Sequence, residues 1–231
     1  MLVVQNLNMF SLPWDDSEGT TVNSWTGKSF DLDGGSTHFG FVLSGQAKLA
    51  TEFGEFPLCA GGYFSLVGRS TIGGEGEGLV VSLAGYRGFF TLGGPIEDTG
   101  RLRYIDGCSD SVLISPPKLG DPCLNFLHVP PGVDQTAHTH PSIRVGIIVS
   151  GRGICRHLEG EYALTPGDVF ILPRDVVHSF HTVDSNLRIV VYHPDSDCGP
   201  SDDAHPMVNR TLVQGISASQ IPQIRTQEVK A

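Results

Sequence analysis

Short apolar runs bounded by turn residues dominate the hydrophobic pattern of the chain. Three of them cover residues 145–149, 169–172 and 187–192, and each ends at a Ser-Gly or a proline. Runs of this length between glycine and proline turns are typical of β-strands. The spacing between turns predicts an all-β sandwich or small barrel.

The pattern also occurs twice. Residues 37–45 (THFGFVLSG) match residues 143–151 (IRVGIIVSG) at an offset of 106, with paired glycines in both copies. Residues 60–66 match residues 165–171 at an offset of 105, which suggests one deletion in a loop. Two matched blocks favour an internal duplication over a chance alignment of glycine-rich segments.

Composition agrees with a turn-rich β protein that has a substantial core. The 231 residues include 29 glycines and 15 prolines, while only 17% are charged. This excess without a Gly-X-Y period excludes a helical bundle or a collagen-like chain.

Charge and cysteine content narrow the class of partner. The formal net charge is -10, from 25 acidic and 15 basic residues, which disfavours binding to nucleic acid. No apolar run approaches the roughly 20 residues that span a bilayer, and no signal peptide is visible. Five scattered cysteines without a CxxC pair predict free thiols and a cytoplasmic protein.

The segment around residues 130–141 carries the first chemical signal. His138 and His140 are two residues apart, so on a strand their imidazoles project from the same face. Two such imidazoles suit one Zn, Cu, Fe or Ni ion. Alone, this pair is a weak signal in a chain with nine histidines.

A second segment makes the signal specific. Gly160, Pro166-Gly167, Pro173 and His178 follow the HxH pair, and Gly132 and Gly151 flank it. The two segments together resemble the two motifs of the cupin superfamily, over about residues 130–181. The resemblance implies two tandem double-stranded β-helix (jelly-roll) barrels, a bicupin with a degenerate N-terminal barrel.

We therefore expect four regions. Residues 1–95 form the degenerate barrel, residues 96–121 a linker with the first strands of the next unit, residues 122–200 the metal-binding barrel, and residues 201–231 a C-terminal arm. The arm includes a further strand predicted at residues 207–213. A homodimer is a plausible assembly through barrel edges and this arm.

The resemblance implies that His138, His140 and His178 bind one divalent transition metal. Fe(II) is the first choice, with Zn, Mn, Ni and Cu as alternatives. The family usually adds an acid, but Arg144 occupies that position here, and a guanidinium cannot bind a cation. The site therefore has three neutral imidazoles and open positions.

Arg144 has three readings. If the strand keeps its register from His138, the side chain faces inward and needs an anion, such as a substrate carboxylate. It could instead pair with Glu161 or Asp168, or point outward into solvent. Tyr192 is a second catalytic candidate, as an acid or hydrogen-bond donor, although packing at the edge of the core is the simpler explanation.

Other residues give weaker evidence for a functional role. The offsets place Leu32, Gly34 and Gly73 opposite the three histidines, so the first barrel is predicted to lack a site. His38 stands opposite Arg144. His181 is expected to point away from the metal, and Cys155 is expected to be a buried, inert thiol.

These observations predict a metal-dependent enzyme that acts on a small carboxylate or carbonyl compound, as a dioxygenase-like oxidoreductase. Cupins host many chemistries, so a metal-dependent isomerase or lyase and a non-catalytic ligand-binding or sensing module remain alternatives. A storage-type structural bicupin fits less well because a complete histidine set is present.

Overall fold

The computed structural model describes residues 2–9, 13–15, 19–202 and 205–224. Strands dominate this part of the chain. In chain order they are β1 (Val3–Asn6), β2 (Pro13–Asp15), β3 (Thr20–Thr26), β4 (Phe30–Leu32), β5 (Ser36–Ser44), β6 (Gln46–Thr51), β7 (Gly54–Cys59), β8 (Tyr63–Val67), β9 (Ser70–Gly73), β10 (Glu77–Ala84), β11 (Thr91–Gly93), β12 (Leu102–Arg103), β13 (Ser109–Ile114), β14 (Cys123–Val129), β15 (Arg144–Gly151), β16 (Gly153–His157), β17 (Gly160–Leu164), β18 (Asp168–Leu172), β19 (His178–His181), β20 (Leu187–His193), β21 (Leu212–Val213) and β22 (Ile216–Ser217).

Helical structure is confined to short pieces. These are α1 (Pro206–Arg210) and four 3₁₀ turns, Leu7–Met9, Ile105–Gly107, Ala218–Gln220 and Pro222–Ile224. Among the described residues, no helix is long and apolar enough to cross a membrane. The all-β fold with tandem barrels that the sequence predicts is confirmed.

Each barrel consists of a large sheet facing a small one. The first barrel has the order β11-β8-β5-β10-β3-β2 in its large sheet and β4-β9-β6-β7 in its small sheet. The second has β1-β18-β15-β20-β14-β13-β12 in its large sheet and β17-β16-β19 in its small sheet. All pairings are antiparallel, as the resemblance to a jelly roll requires.

The start of the chain lies on the second barrel rather than the first. Strand β1 pairs with β18, with Val3 opposite Ile171 and Asn6 opposite Asp168. Strands β12 and β13, from the predicted linker, also join this large sheet. The division at residues 1–95 therefore does not follow the sheets, because an edge strand can pair with any neighbouring edge that matches its pattern.

Three apolar clusters hold the molecule together. One lies inside each barrel, and the third lies between the two large sheets. The side chains of β15 alternate between two of these clusters. Val145 and Ile147 pack between the barrels, while Ile148 faces the interior of the second barrel. Burial of both sheet faces explains why these strands read as continuous apolar runs.

The internal repeat has a structural signature. Gly40 lies opposite Phe64 on β8, and Gly146 lies opposite Phe170 on β18. In both barrels a Cβ on the glycine would lie 2.1 Å from the Phe Cζ atom. The repeat therefore keeps an offset of 106 through this strand, and the offset of 105 inferred for residues 60–66 is wrong by one position.

The C-terminal arm differs from its predicted form. Residues 206–210 form the single-turn helix α1, and only Leu212 and Val213 from the predicted strand pair, with β22. Pro206 at the first turn favours the helix, and the His205 side chain accepts a hydrogen bond from the Met207 amide. Residues 203–204 and 225–231 of the arm lie outside the described residues.

Candidate metal centre

Three imidazoles meet at one end of the second barrel. His138 and His140 lie on the segment before β15, and His178 begins β19. His138 and His178 exchange backbone hydrogen bonds of 3.0 Å, which fixes the two segments side by side. One nitrogen from each ring lies within 4.8 Å of the others, so the three can share a single ion.

The orientation of two rings is set by backbone carbonyls. His138 Nδ1 lies 3.0 Å from the Thr136 carbonyl, and His178 Nδ1 lies 3.0 Å from the Val176 carbonyl. Each ring therefore donates through Nδ1 and keeps its lone pair on Nε2, as metal-binding histidines do. Asp106 has a left-handed backbone conformation, with φ of 53°. Its Oδ2 atom accepts a hydrogen bond of 2.7 Å from the Thr136 amide nitrogen and holds that peptide in place.

The His178 Nε2 atom is buried, and no described residue hydrogen-bonds to it. A buried nitrogen lone pair without a partner is unfavourable unless an external group takes it. Three neutral imidazoles also match the preferences of Fe, Zn, Cu and Ni. The residues present thus fit a divalent transition metal.

Burial keeps the rings of His140 and His178 unprotonated. It lowers the pKa of His140 to about 3, with the charge of Arg144 adding to the effect, and lowers the pKa of His178 to about 4. Near neutral pH both rings are therefore unprotonated and can donate a lone pair.

A cavity of about 290 Å³ opens beside the three rings. Its polar part holds the histidines, Arg144 and several residues that the sequence did not single out. Its full lining is Tyr104, Asp110, Cys123, Asn125, Leu127, Gln135, His138, His140, Arg144, Phe170, Leu172, His178, Phe180, Val191, His193, Asp197 and Cys198.

Arg144 faces this cavity and is 2% exposed. Its acidic partner is Asp195, at 3.2 Å, rather than Glu161 or Asp168, and it is not directed to solvent. Ser142 bonds to both groups. Glu161 instead pairs with Arg156 on the small sheet, and Asp168 caps the turn at Thr165.

One edge of the guanidinium has no hydrogen-bond partner among the described residues. The hydrogen bonds of Arg144 to described residues all leave through Nη1, and its buried Nε has no partner among them. Because an arginine binds carboxylates through two parallel N–H groups, this edge suits an anionic ligand in the cavity.

The structure corrects the candidate role of Tyr192. Its side chain packs in the core between the barrels, with its ring centroid 5.1 Å from that of Phe39, and it is absent from the cavity lining. The next residue, His193, lines the cavity instead. Side chains two residues apart on a strand lie on the same face of the sheet. His193 therefore faces the cavity together with Val191, and Tyr192 faces away.

His181 and Cys155 lie away from the metal-binding group. His181 contacts Asp134 at 2.5 Å and Ser179 at 2.6 Å on the other face of β19. Cys155 is 1% exposed, and burial raises the pKa of its thiol to about 12, so it is a poor nucleophile at neutral pH.

The first barrel has no imidazole at the equivalent positions. Leu32 lies opposite Ser70, as His138 lies opposite His178, so Ser70 rather than Gly73 corresponds to the third histidine. His38, at the position of Arg144, bonds to Ser82 at 2.7 Å and to the Asp33 carbonyl at 3.0 Å. Both of its ring nitrogens are thus satisfied inside the protein.

Comparisons with known proteins agree with this architecture. A family described as AraC-like ligand binding domain matches residues 130–197, the segment that carries the three histidines and Arg144. No curated protein matches the chain in sequence.

Solved structures match over most of the chain. The cupin 2 conserved barrel domain protein from Leptotrichia buccalis aligns with a TM-score of 0.60 at 10% identity, over 84% of this chain and 89% of that chain. Protein Ylba from E. coli aligns with a TM-score of 0.58 at 15% identity, over 86% and 92%. Salicylate 1,2-dioxygenase from Pseudoaminobacter salicylatoxidans aligns with a TM-score of 0.56 at 10% identity, over 74% and 69%.

The fold is that of the cupin structures with which the chain aligns. More particularly, it has two barrels in tandem, and the second barrel carries both the three-histidine group and the AraC-like match.

Proposed function

We propose that the second barrel binds one divalent transition metal through His138, His140 and His178, and acts there on a small carboxylate or carbonyl compound as a dioxygenase-like oxidoreductase. The observation that carries this proposal is that Arg144 lines the same cavity as the three imidazoles while its buried Nε has no hydrogen-bond partner among the described residues. A buried cation donor facing a metal-binding group favours an anionic ligand between them.

The chain's own residues have distinct roles in this proposal. A bound Fe(II) ion would supply Lewis acidity and redox chemistry with O₂. Arg144 holds the carboxylate of the ligand through Nε and Nη2, while Asp195 and Ser142 fix the opposite side of the guanidinium. Such fixed placement of a ligand is what allows a reacting group to be oriented.

The apolar wall of the cavity supports the same reading. Phe170, Leu172, Phe180 and Val191 line it, and all four are at least nine-tenths buried. Apolar walls with a few convergent polar groups are typical of small-molecule sites. They also strengthen charge interactions inside by excluding water.

The comparisons support two candidate functions. One solved structure of the salicylate dioxygenase holds gentisate, a small carboxylate, and that protein aligns with this chain at a TM-score of 0.56. The AraC-like match favours the second candidate, a barrel that binds a small ligand without transforming it. Because both functions would use the same cavity, a measurement of turnover is needed to distinguish them.

The test begins with elemental analysis of the purified protein and of protein reconstituted anaerobically with Fe(II). We expect about one transition metal per chain. Oxygen consumption on addition of salicylate, gentisate or other small carboxylates would support the oxidoreductase. Ligand binding without turnover would support the sensing module, and the absence of any bound transition metal would overturn the oxidoreductase.

Arg144→Met tests the anion-binding role separately. We expect metal content to stay the same and affinity for the binding carboxylate to fall about tenfold or more, since a hydrogen bond to a charged group contributes roughly 1.5–3 kcal/mol. Arg152→Met is the matched control, because Arg152 is exposed and makes only a 3.9 Å contact with Asp184. Unchanged affinity in Arg144→Met would contradict the role.

A further inference from the structure

A pair of hydrogen-bond acceptors lies in the cavity together with the metal-binding group and Arg144. Asp110 comes from β13 and Asn125 from the neighbouring strand β14. On β14 the odd positions Cys123, Asn125 and Leu127 line the cavity, whereas Leu124 and Phe126 pack between the barrels. The strand's alternation therefore places the Asn125 amide on the cavity wall.

The internal contacts of this pair leave acceptors facing the cavity. Asn125 Nδ2 donates to Asp110 Oδ2 at 3.4 Å, a long hydrogen bond. Asn125 Oδ1 is buried, and no described residue donates to it. An ionised carboxylate likewise only accepts hydrogen bonds, so Asp110 can take a further donor beside Asn125 Oδ1, which has none among the described residues.

Burial without a cationic partner also marks Asp110 as unusual. It raises the pKa of this carboxyl to about 6, and a hydrogen bond from the Ser111 backbone offsets only part of that effect. Buried acceptors left without a donor are unfavourable, whereas a ligand O–H or N–H in the cavity would satisfy them.

We propose that Asp110 and Asn125 form a second recognition point in this cavity, which binds a hydroxyl or amino donor on a small carboxylate whose acidic end binds Arg144. This inference rests on the proposed role of Arg144 and narrows the ligand class to hydroxy- or amino-carboxylates. Sites that hydrogen-bond such a donor discriminate strongly against an analogue that lacks it, because their polar groups are then left unpaired.

The test compares acids that differ only in the donor. The probes are 3-hydroxybenzoate and 3-aminobenzoate against benzoate, and 4-hydroxybutyrate against butyrate, titrated into the metal-loaded protein by calorimetry. We expect at least one donor-bearing acid to bind about tenfold tighter than its parent. Whether the hydroxyl or the amino compound gains identifies the preferred donor.

Two variants tie the preference to these residues. Asn125→Leu and Asp110→Asn each remove acceptor capacity while keeping a similar side-chain shape, and we expect the preference to shrink to about threefold or less in both. Asp184→Asn is the matched control, since Asp184 is an exposed acid outside the cavity. Circular dichroism of each variant establishes that the barrel remains folded.

The outcomes separate the two proposals. Parent acids that bind through Arg144, without any gain from a donor, would overturn this inference and leave the proposed function intact. A preference that persists in both variants would also overturn it. Failure of every acid to bind would overturn the carboxylate function and this inference with it.

Discussion

The two barrels share one framework and differ in what it holds. Both place a glycine on the central strand directly beneath a phenylalanine, Gly40 under Phe64 and Gly146 under Phe170. Both then turn through Ser-Gly into a strand of the small sheet. The three-histidine group occurs in the second barrel, where His138 and His178 replace the Leu32–Ser70 pair.

The interiors differ in the same way. Counted along the strands from the paired glycines, Trp25 in the first barrel occupies the position of Leu127 in the second. Trp25 is 2% exposed and packs in the first barrel's core, whereas Leu127 lines the cavity. A large aromatic side chain in one copy thus fills space that the other copy leaves for a ligand.

This comparison shows that the fold and the site depend on different residues. Glycines, turns and apolar alternation specify the barrel in both halves. A few inward-facing positions then decide whether its interior is a packed core or a binding site. The predictions below test that separation, from the largest expected effect to the smallest.

Replacing His178 with the first barrel's residue should abolish the metal site. In His178→Ser we expect metal content to fall from about one ion per chain to background, because two imidazoles remain and the buried third ligand is lost. Elemental analysis after desalting is the measurement. The barrel should stay folded by circular dichroism, since its core is apolar.

The control is His205→Asn, an exposed histidine whose capping role asparagine can take over. It should keep full metal content. If His178→Ser retained its metal, or the control lost it, the assignment of the three ligands would be wrong.

Substituting the paired glycines should destabilise both halves alike. In Gly40→Ala and in Gly146→Ala the new Cβ would lie 2.1 Å from a buried Phe ring, so we expect the free energy of unfolding to fall by about 1–3 kcal/mol in each. Chemical denaturation is the measurement. Gly34→Ala should change little, because its Cβ would be 3.9 Å from the nearest atom.

A large effect at only one of the two glycines would contradict the shared framework. It would indicate that one sheet can open around the added methyl group and that the two copies are not packed alike.

Asp110 should give the second barrel a pH dependence. Its pKa is raised to about 6 in the folded protein, so the neutral form is favoured there, and its stabilising contribution is complete below about pH 4. As the pH rises from about 4 to 6, the unfolded chain ionises first and that contribution is lost. The free energy of unfolding should therefore fall across this window relative to Asp110→Asn.

Denaturation of the metal-free proteins at several pH values measures this difference. Subtracting the variant's curve removes the contributions of the histidines that both proteins share. A difference that is constant between pH 4 and 6 would contradict the desolvation of the Asp110 carboxyl.

The sequence predicts the barrels and the histidine group for clear physical reasons. Apolar runs and glycine turns have local causes, and the cupin resemblance links two distant segments that bring His138, His140 and His178 together. Strand parity left the direction of Arg144 open among three readings, and the structure has it facing the cavity.

Other parts of the site depend on contacts that sequence spacing does not reveal. The partner of Arg144 is Asp195, which follows β20 and reaches it through the tertiary fold. Asp110 and Asn125 meet only because β13 pairs with β14. The assignment of Tyr192 to the site was wrong although strand parity was available from the sequence. Along β20, parity puts Val191 and His193 on the cavity side and Tyr192 on the other side.

The pairing of β1 with β18 means that the two halves are not separable modules. Cutting the chain between residues 93 and 109 would leave the second barrel without its edge strand β1 and would expose the apolar seam along both large sheets. During synthesis the ribosome releases Val3–Asn6 long before its partner strand exists. That segment can therefore complete its sheet only after β18 has been made, so an early strand belongs to a sheet that closes late.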